Sequence, residues 1–299
     1  MQKIAGIVIL YNPNIEEVLK NITTYLHFVD VLYVYDNTIS NSQFNSTHLK
    51  TAFTAHSSKI VYNTNYINEG IGKPLNWAAN LCLQNGFKWL LTMDQDTWFK
   101  ADQIALFKLN IEQNLLFDES IAVLAPSFKT NNSTPPSDVI KYNEAISAIT
   151  SGSLIQLHIW KKIGGFNEVF FIDEVDNEYC YRAKKMGFKI IVFNNIFIEH
   201  EIGKIKKVGY FGIFAKKNRV LHNPFRLYFM LRNYLVVRKL YQHLYKDEFK
   251  VRDKQIITTI KNNLLFGGSF IKNLSSIIRA LKDVKHVKDS MYKFIKVHA

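Results

Sequence analysis

Short runs of β-branched and aromatic residues alternate with helical patterns through about the first two thirds of the chain, and this alternation limits the fold more than any other feature. It predicts βαβ units, and so an open α/β domain built on a largely parallel sheet. The first strand reads IAGIVILY. Asn14 and Glu17 then have the spacing of a capping box and open an amphipathic helix through Leu26. A second strand follows in VDVLYVYDN and a short third in KIVYN. The loop NEGIG leads into a helix from about Pro74 that stops near Gly86, and KWLLTM is strand four.

Strand four runs into KWLLTMDQDTWF, where an apolar segment delivers Asp94 and Asp96 side by side. Open α/β sheets bind ligands beyond the carboxyl ends of their strands. Asp36 and Asn37 after strand two, Asn68 to Gly72 after strand three, and the Asp94/Asp96 pair all fall there. Asp and Asn also favour turns and caps, which is the plainer reading of any one of them. Two carboxylates at one strand end repel each other unless they share a cation. A hard divalent ion such as Mg²⁺, which keeps waters and takes phosphate oxygens, suits them. Gln95 reads as a spacer.

At 299 residues and 47% hydrophobic content, the chain is large enough for one sizeable domain with an appendage. A net charge of +13 fits nucleic acid, an anionic membrane surface or a phosphorylated substrate. The aromatic and basic residues form no recognisable nucleic-acid-binding motif. Cys82 and Cys180 lie far apart with no zinc-like spacing, so neither a disulfide framework nor a structural metal is expected, and a cytoplasmic setting follows. No apolar run approaches the roughly 18 to 20 residues needed to span a bilayer.

Asp94-Gln95-Asp96 resembles the DxD element of nucleotide-sugar glycosyltransferases with a GT-A fold, specifically glycosyltransferase family 2. VILYN and VYDNT resemble that family's opening strand and nucleoside-holding loop, which brings in Tyr11, Asp36 and Asn37. Asn68, Gly70 and Asn76 match its Asn/Gly loop and following helix start, although Pro74 stands where a small residue is usual and Ala78 where glycine is frequent. The most specific match is SGSLIQLHIWKKIGGFNEVFFIDEVDNEYCYRAKKMGF. It reads as a strand over Ser151 to Leu157, a short helix over Trp160 to Ile163, a Gly164-Gly165 turn, and a helix to Met186 ended by Gly187. Asp173, Glu174, Asp176 and Glu178 sit at the start of that last helix, with Asp173 and Asp176 on one face and Glu174 and Glu178 on another.

The resemblance implies an inverting transferase. Asp176 falls at the position of the family's general base, with Val175 replacing the usual Glu before it and Asp173 as the second choice. Asp94 and Asp96 would hold ribose and a Mg²⁺ or Mn²⁺ ion, and His200 matches a histidine used as a further metal ligand or pyrophosphate contact. Residues 203 to 219 read as a basic loop able to close over a diphosphate, or as plain solvated surface. His222, Arg226, Tyr228, Arg232 and Asn233 resemble the C-terminal signature of bacterial rhamnosyltransferases, which puts Arg226 and Arg232 among the donor contacts. The implied donor is dTDP-L-rhamnose, with a UDP-hexose as the alternative, and the implied acceptor is a hydroxyl of a growing, lipid-linked cell-surface glycan.

The organisation expected is a catalytic domain over 1–225, with a nucleotide-sugar half to 100 and an acceptor half beyond, then a helical extension over 226–299. Its helices fall at about 226 to 246, 250 to 265 and 269 to 287. Ile256, Ile257, Ile260, Leu264 and Leu265 recur at helical spacing among Arg252, Lys254 and Lys261. Such a face fits the inner membrane surface, the catalytic domain, or a second subunit in a homodimer. A non-catalytic transferase-like scaffold is the competing reading of the variant at Val175.

Overall fold

A computed structural model describes residues 3–39, 46–113, 118–128, 142–200, 205–208 and 217–298. The chain divides into two compact units, the first comprising Met1–Glu168 with Val175–Glu201 and the second Val169–Glu174 with Ile202–Ala299.

The first unit carries β1 (Ile4–Leu10), α1 (Ile15–Thr23), β2 (Val31–Asp36), α2 (Ser46–His56), β3 (Ile60–Thr64), α3 (Gly72–Gln84), β4 (Trp89–Asp94) and β5 (Thr97–Phe99). It continues with α4 (Ala101–Gln113), β6 (Ile121–Phe128), β7 (Tyr142–Glu144), β8 (Ser153–Gln156), α5 (Leu157–Ile163), α6 (Val175–Lys185) and β9 (Lys189–His200). One mixed sheet runs β3-β2-β1-β4-β8-β6-β9-β5, with β7 paired to β9. Strands β1 to β4, β6 and β9 point one way, while β5, β7 and β8 run against them. The unbroken apolar runs are strands covered on both faces: Ala5, Ile7, Val8, Trp89, Leu90 and Leu91 are all buried.

Several expectations change at element ends. Asn14 occupies the N-cap position of α1, but its side chain makes no capping bond, so the capping box does not form. The helix stops at Thr23, and Leu26–Phe28 is a separate 3₁₀ turn. α3 starts at Gly72, where a Cβ would lie 3.2 Å from the Asn167 carbonyl oxygen, so glycine suits the close backbone approach there. α6 starts at Val175, because Asp173 and Glu174 have φ of 62° and 68° and cannot belong to a right-handed helix. The expected sharing of helix faces by Asp173 with Asp176, and by Glu174 with Glu178, therefore fails.

In the second unit β10 (Ile205–Val208) pairs antiparallel with β11 (Lys217–Val220). Part of the expected basic loop is thus a β ladder, while residues 201–204 and 209–216 lie outside the described residues. Three helices follow: α7 (Pro224–Tyr241), α8 (Lys246–Phe266) and α9 (Phe270–His298). Asn223 caps α7 by accepting from the Arg226 N–H at 2.8 Å, with Pro224 in the first turn. Tyr228, Leu231 and Ala280 form a core that Phe229, Leu235, Ile256, Ile260 and Ile277 cover. Ile256 and Ile260 are therefore internal to this unit, whereas Ile257 and Leu265 are exposed. Among the described residues no helix is long and apolar enough to cross a membrane.

Candidate active site

The parallel order β3-β2-β1-β4 brings four strand ends to one edge of the first unit. Register sets Ile9 beside Asp94, Leu10 beside Asp36, and Asp36 beside Thr64. Asp36 and Asp94 thus flank β1, about 10 Å apart by strand spacing.

Asp36 is buried, and both its carboxylate oxygens are occupied. Oδ1 accepts from the Thr38 N–H at 2.8 Å and Oδ2 from the Tyr62 hydroxyl at 2.6 Å. Burial, and then the bond to Asp36, push the Tyr62 phenol well above its ordinary range. Asn37 is committed to the neighbouring loop: Nδ2 donates to the Gly70 carbonyl at 2.7 Å and Oδ1 accepts from the Glu69 N–H at 3.2 Å. Asn68 closes the same loop by accepting from the Gly70 N–H at 3.0 Å, and Gly70 has φ of 75°. Glu69 receives Tyr35, Asn65 and Lys73; its burial works against the charge, but these donors hold its carboxyl below the usual value.

The Asp94–Asp96 turn is fixed by its middle residue. Gln95 Oε1 accepts from the Tyr11 N–H at 2.8 Å, Gln95 Nε2 donates to the Tyr11 carbonyl at 3.3 Å, and the Gln95 carbonyl accepts from Asn21 at 3.0 Å. The next N–H, that of Asn12, donates to Thr38 Oγ1 at 2.8 Å. A hydrogen-bonded path thus connects Asp36, Thr38, Asn12, Tyr11 and Gln95, and Gln95 is a tie between two strand ends rather than a spacer. Below the turn, the Asp94 N–H donates to Ser151 Oγ at 3.1 Å. Gly152 follows with φ of 79°, where a Cβ would come within 2.9 Å of Ile198. The Asp94 charge, after burial, raises the nearby Tyr25 phenol.

Asp94 and Asp96 offer hard oxygen donors. Register sets His200 opposite Thr97, the residue after Asp96, while the His200 side chain lies outside the described ones. Among the described residues no three His, Cys, Asp or Glu side chains converge. The oxygen donors of Asp94 and Asp96 suit a hard divalent ion that also takes water and phosphate oxygens.

Asn76, expected near the nucleotide, bonds to the segment around Phe166–Glu168 and to Trp160. Its Oδ1 accepts from the Phe166 N–H at 2.8 Å and Trp160 Nε1 at 3.2 Å, and its Nδ2 donates to the Phe166 carbonyl and Glu168, both at 2.8 Å. Gly165 makes room for it, since a Cβ there would lie 2.9 Å from Asn76 Oδ1. Glu178 is fully buried and pairs with Arg182 through bonds of 2.8 and 2.9 Å. Arg182 in turn donates to the Ile163 and Gly165 carbonyls. This pair fastens α6 to the Gly164-Gly165 turn. Asp176, in the first turn of α6, accepts from the Asn177 N–H at 2.8 Å and forms part of the wall of a small cavity with Phe166, Tyr179 and Cys180. Burial pushes the Cys180 thiol up to about 12; Cys82 is likewise a buried free thiol.

Within the second unit, the residues of the C-terminal signature grip the segment Val169–Glu174. Arg232 donates to the Val169 carbonyl at 2.8 Å and stacks on Phe229, with 4.7 Å to the ring centre. Asn233 Nδ2 donates to the Ile172 and Asp173 carbonyls at 2.7 and 3.1 Å. Arg226 pairs with Asp173 at 3.1 Å, and Arg252 with Glu174. Arg232 is therefore a clamp on backbone, and Asp173 carries a guanidinium partner.

No family model matches the chain. It is 27% identical over 190 residues to the dTDP-rhamnosyl transferase RfbF of Shigella flexneri, covering 58% of this chain and 61% of that protein's length. Among solved structures, GalNAc-T7 crystallised with UDP, GalNAc and Mn²⁺ superposes with a TM-score of 0.59 at 12% identity, over 83% of this chain and 50% of that one. TarS of S. aureus, residues 1–349 with UDP-GlcNAc, gives 0.52 at 16%, over 96% and 81%. The mannosyltransferase PcManGT from Pyrobaculum calidifontis, with GDP-Man and Mn²⁺, gives 0.52 at 16%, over 94% and 73%.

The fold is the GT-A glycosyltransferase fold.

Within this GT-A frame the residues singled out from sequence separate by what they touch. Tyr11, Asp36, Asn37, Asn68, Gly70, Asp94 and Asp96 gather on the rim of the parallel half. Asn76 and Arg232 spend their polar atoms on neighbouring backbone and side chains. Tyr62, Thr38, Glu69 and Gln95 were not legible as partners, because each acts across strands that only the register brings together.

Proposed function

We propose that the protein is an inverting glycosyltransferase that moves L-rhamnose from dTDP-L-rhamnose to a hydroxyl of a lipid-linked glycan at the cytoplasmic face of a membrane. The observation that carries the reading is the rim itself: Asp36 and Asp94 flank the end of β1, with the Asp94–Asp96 turn tied to Tyr11 by Gln95. The Shigella relative's name supports the choice of donor.

In this reading Asp36, held by Thr38 and Tyr62, belongs to the nucleoside-holding loop, and Asp94 would accept a hydrogen bond from the ribose. Asp94, Asp96 and His200 would hold a Mg²⁺ or Mn²⁺ ion, which when bound neutralises charge on a diphosphate. Asp176 takes the proton of the acceptor hydroxyl as its oxygen attacks the anomeric carbon from the face opposite the nucleotide. The carbon–oxygen bond to the diphosphate breaks, the nucleoside diphosphate leaves with the electron pair, and the configuration inverts.

A ligand that binds only the folded state raises its melting temperature. Melting the protein with Mg²⁺ or Mn²⁺ against dTDP-L-rhamnose, UDP-glucose and UDP-GlcNAc should show the largest rise with dTDP-L-rhamnose. A larger rise with a UDP-hexose would transfer the reading to that donor, and no rise with any of them would end it.

A further inference from the structure

The positive charge of the chain sits in the second unit. Of the 38 Lys and Arg residues 22 lie there, with 7 of the 25 Asp and Glu, a balance of +15 against −2 for the first unit. α9 has an apolar arc wider than its packing needs. Asn273, Ala280 and Val284 are buried, and Ile277 packs against the α7 core. On the adjoining surface Phe270, Ile271, Leu274, Ile278 and Leu281 are exposed, Ile271 to 79%. At 3.6 residues per turn these five fall within an arc of roughly 100°. Lys285 is exposed within this arc and Lys282 at its edge. Asp283, one of the acids on α9, is bonded to the Tyr228 hydroxyl at 2.7 Å.

We propose that this arc of α9 docks on an anionic lipid surface, with the helix lying in the plane of the interface, the apolar side chains among the upper acyl chains and the lysines on headgroup phosphates. An apolar face bordered by lysines on a unit of high positive charge is the pattern such surfaces select. The positions 271, 274, 278 and 281 also have the spacing of a two-helix seam, but its next positions are Lys285 and Lys288, which would oppose their own copies in a parallel pair and put charge into the apolar seam of an antiparallel one. Lipid phosphate accommodates those charges. The inference deepens the membrane part of the proposed function and places it on α9 rather than on the α8 residues Ile256 and Ile260.

The test is co-sedimentation of the full chain with phosphatidylcholine vesicles, with and without phosphatidylglycerol, at low and high salt. The protein should pellet with the anionic vesicles alone, and less so at high salt. The double variants Ile271→Ser/Ile278→Ser and Lys282→Glu/Lys285→Glu should each weaken binding at least tenfold, while melting temperature and dTDP binding stay unchanged. Undiminished binding by both variants would place the membrane contact elsewhere and overturn the α9 assignment alone. Absence of binding by the parent protein would remove the membrane reading together with it. A dimer in light scattering that the isoleucine variant dissociates would make a second copy the occupant. Nucleotide binding reports separately on the transferase reading, which none of these outcomes decides.

Discussion

Gln95 stands between two carboxylates and spends both ends of its amide on the Tyr11 backbone. Replacing it with Glu keeps the shape, puts an acceptor against the Tyr11 carbonyl, and adds a third negative charge to the turn. Gln95→Glu and Gln95→Ala should raise the donor KM about tenfold or more through loss of turn geometry, with a smaller change in kcat; an unchanged KM would return Gln95 to the role of spacer. Glu178 makes the opposite point, since an acid at a helix start reads as a site residue, yet it is buried against Arg182. Glu178→Ala strands that guanidinium and should cost about 3–5 kcal/mol, read as a lower denaturant midpoint; a midpoint within error of the parent would contradict the pairing. The sequence does carry a signal for this pair, the i, i+4 spacing of Glu178 and Arg182, but spacing alone does not tell a buried pair from an exposed one.

Among the elements, β1, β2 and β4 were legible because burial on both faces writes a continuous apolar run, as in Trp89 to Met93, whereas β5, β6 and β7 were not expected from the sequence. Helix starts were less so, since a cap is a local preference that tertiary contacts override. Val169–Glu174 shows this best: its acids suggest the first turn of a helix, but Arg226, Arg232, Asn233 and Arg252 hold it in another shape, with two consecutive left-handed residues. None of those partners is within fifty residues in sequence, so no local pattern reports them. Arg252→Ala leaves Glu174 without its guanidinium in a buried setting and should destabilise the second unit by about 3 kcal/mol. Restoration by Arg252→Lys should be partial, because lysine lacks the planar stack on Tyr234 and Phe249. Hydrogen exchange at 169–174 as slow in the alanine variant as in the parent would contradict the clamp.

Over the whole molecule the charge is divided: the GT-A unit is nearly neutral and the helical unit is strongly basic, a division the total of +13 conceals. Stability should also depend on pH in the helical unit. Burial, and then the Arg226 charge, hold the His222 imidazole below its ordinary value. The unfolded chain therefore binds that proton more readily. The stability His222 contributes is complete above its unfolded value of about 6.5 and declines as pH falls through that value toward the lower folded one. Melting from about pH 7.5 to about 5.5 should show a downward slope that is shallower in His222→Gln; equal slopes would assign the effect to other groups. The central claim is that Asp176 is the base of a nucleotide-sugar transferase. Its most direct test is nucleoside diphosphate release from dTDP-L-rhamnose with Mn²⁺, compared between the full chain and Asp176→Asn. The account predicts release by the parent protein and a variant slower by about 10²- to 10⁴-fold that still binds the donor; a variant that turns over at the parent rate would contradict it.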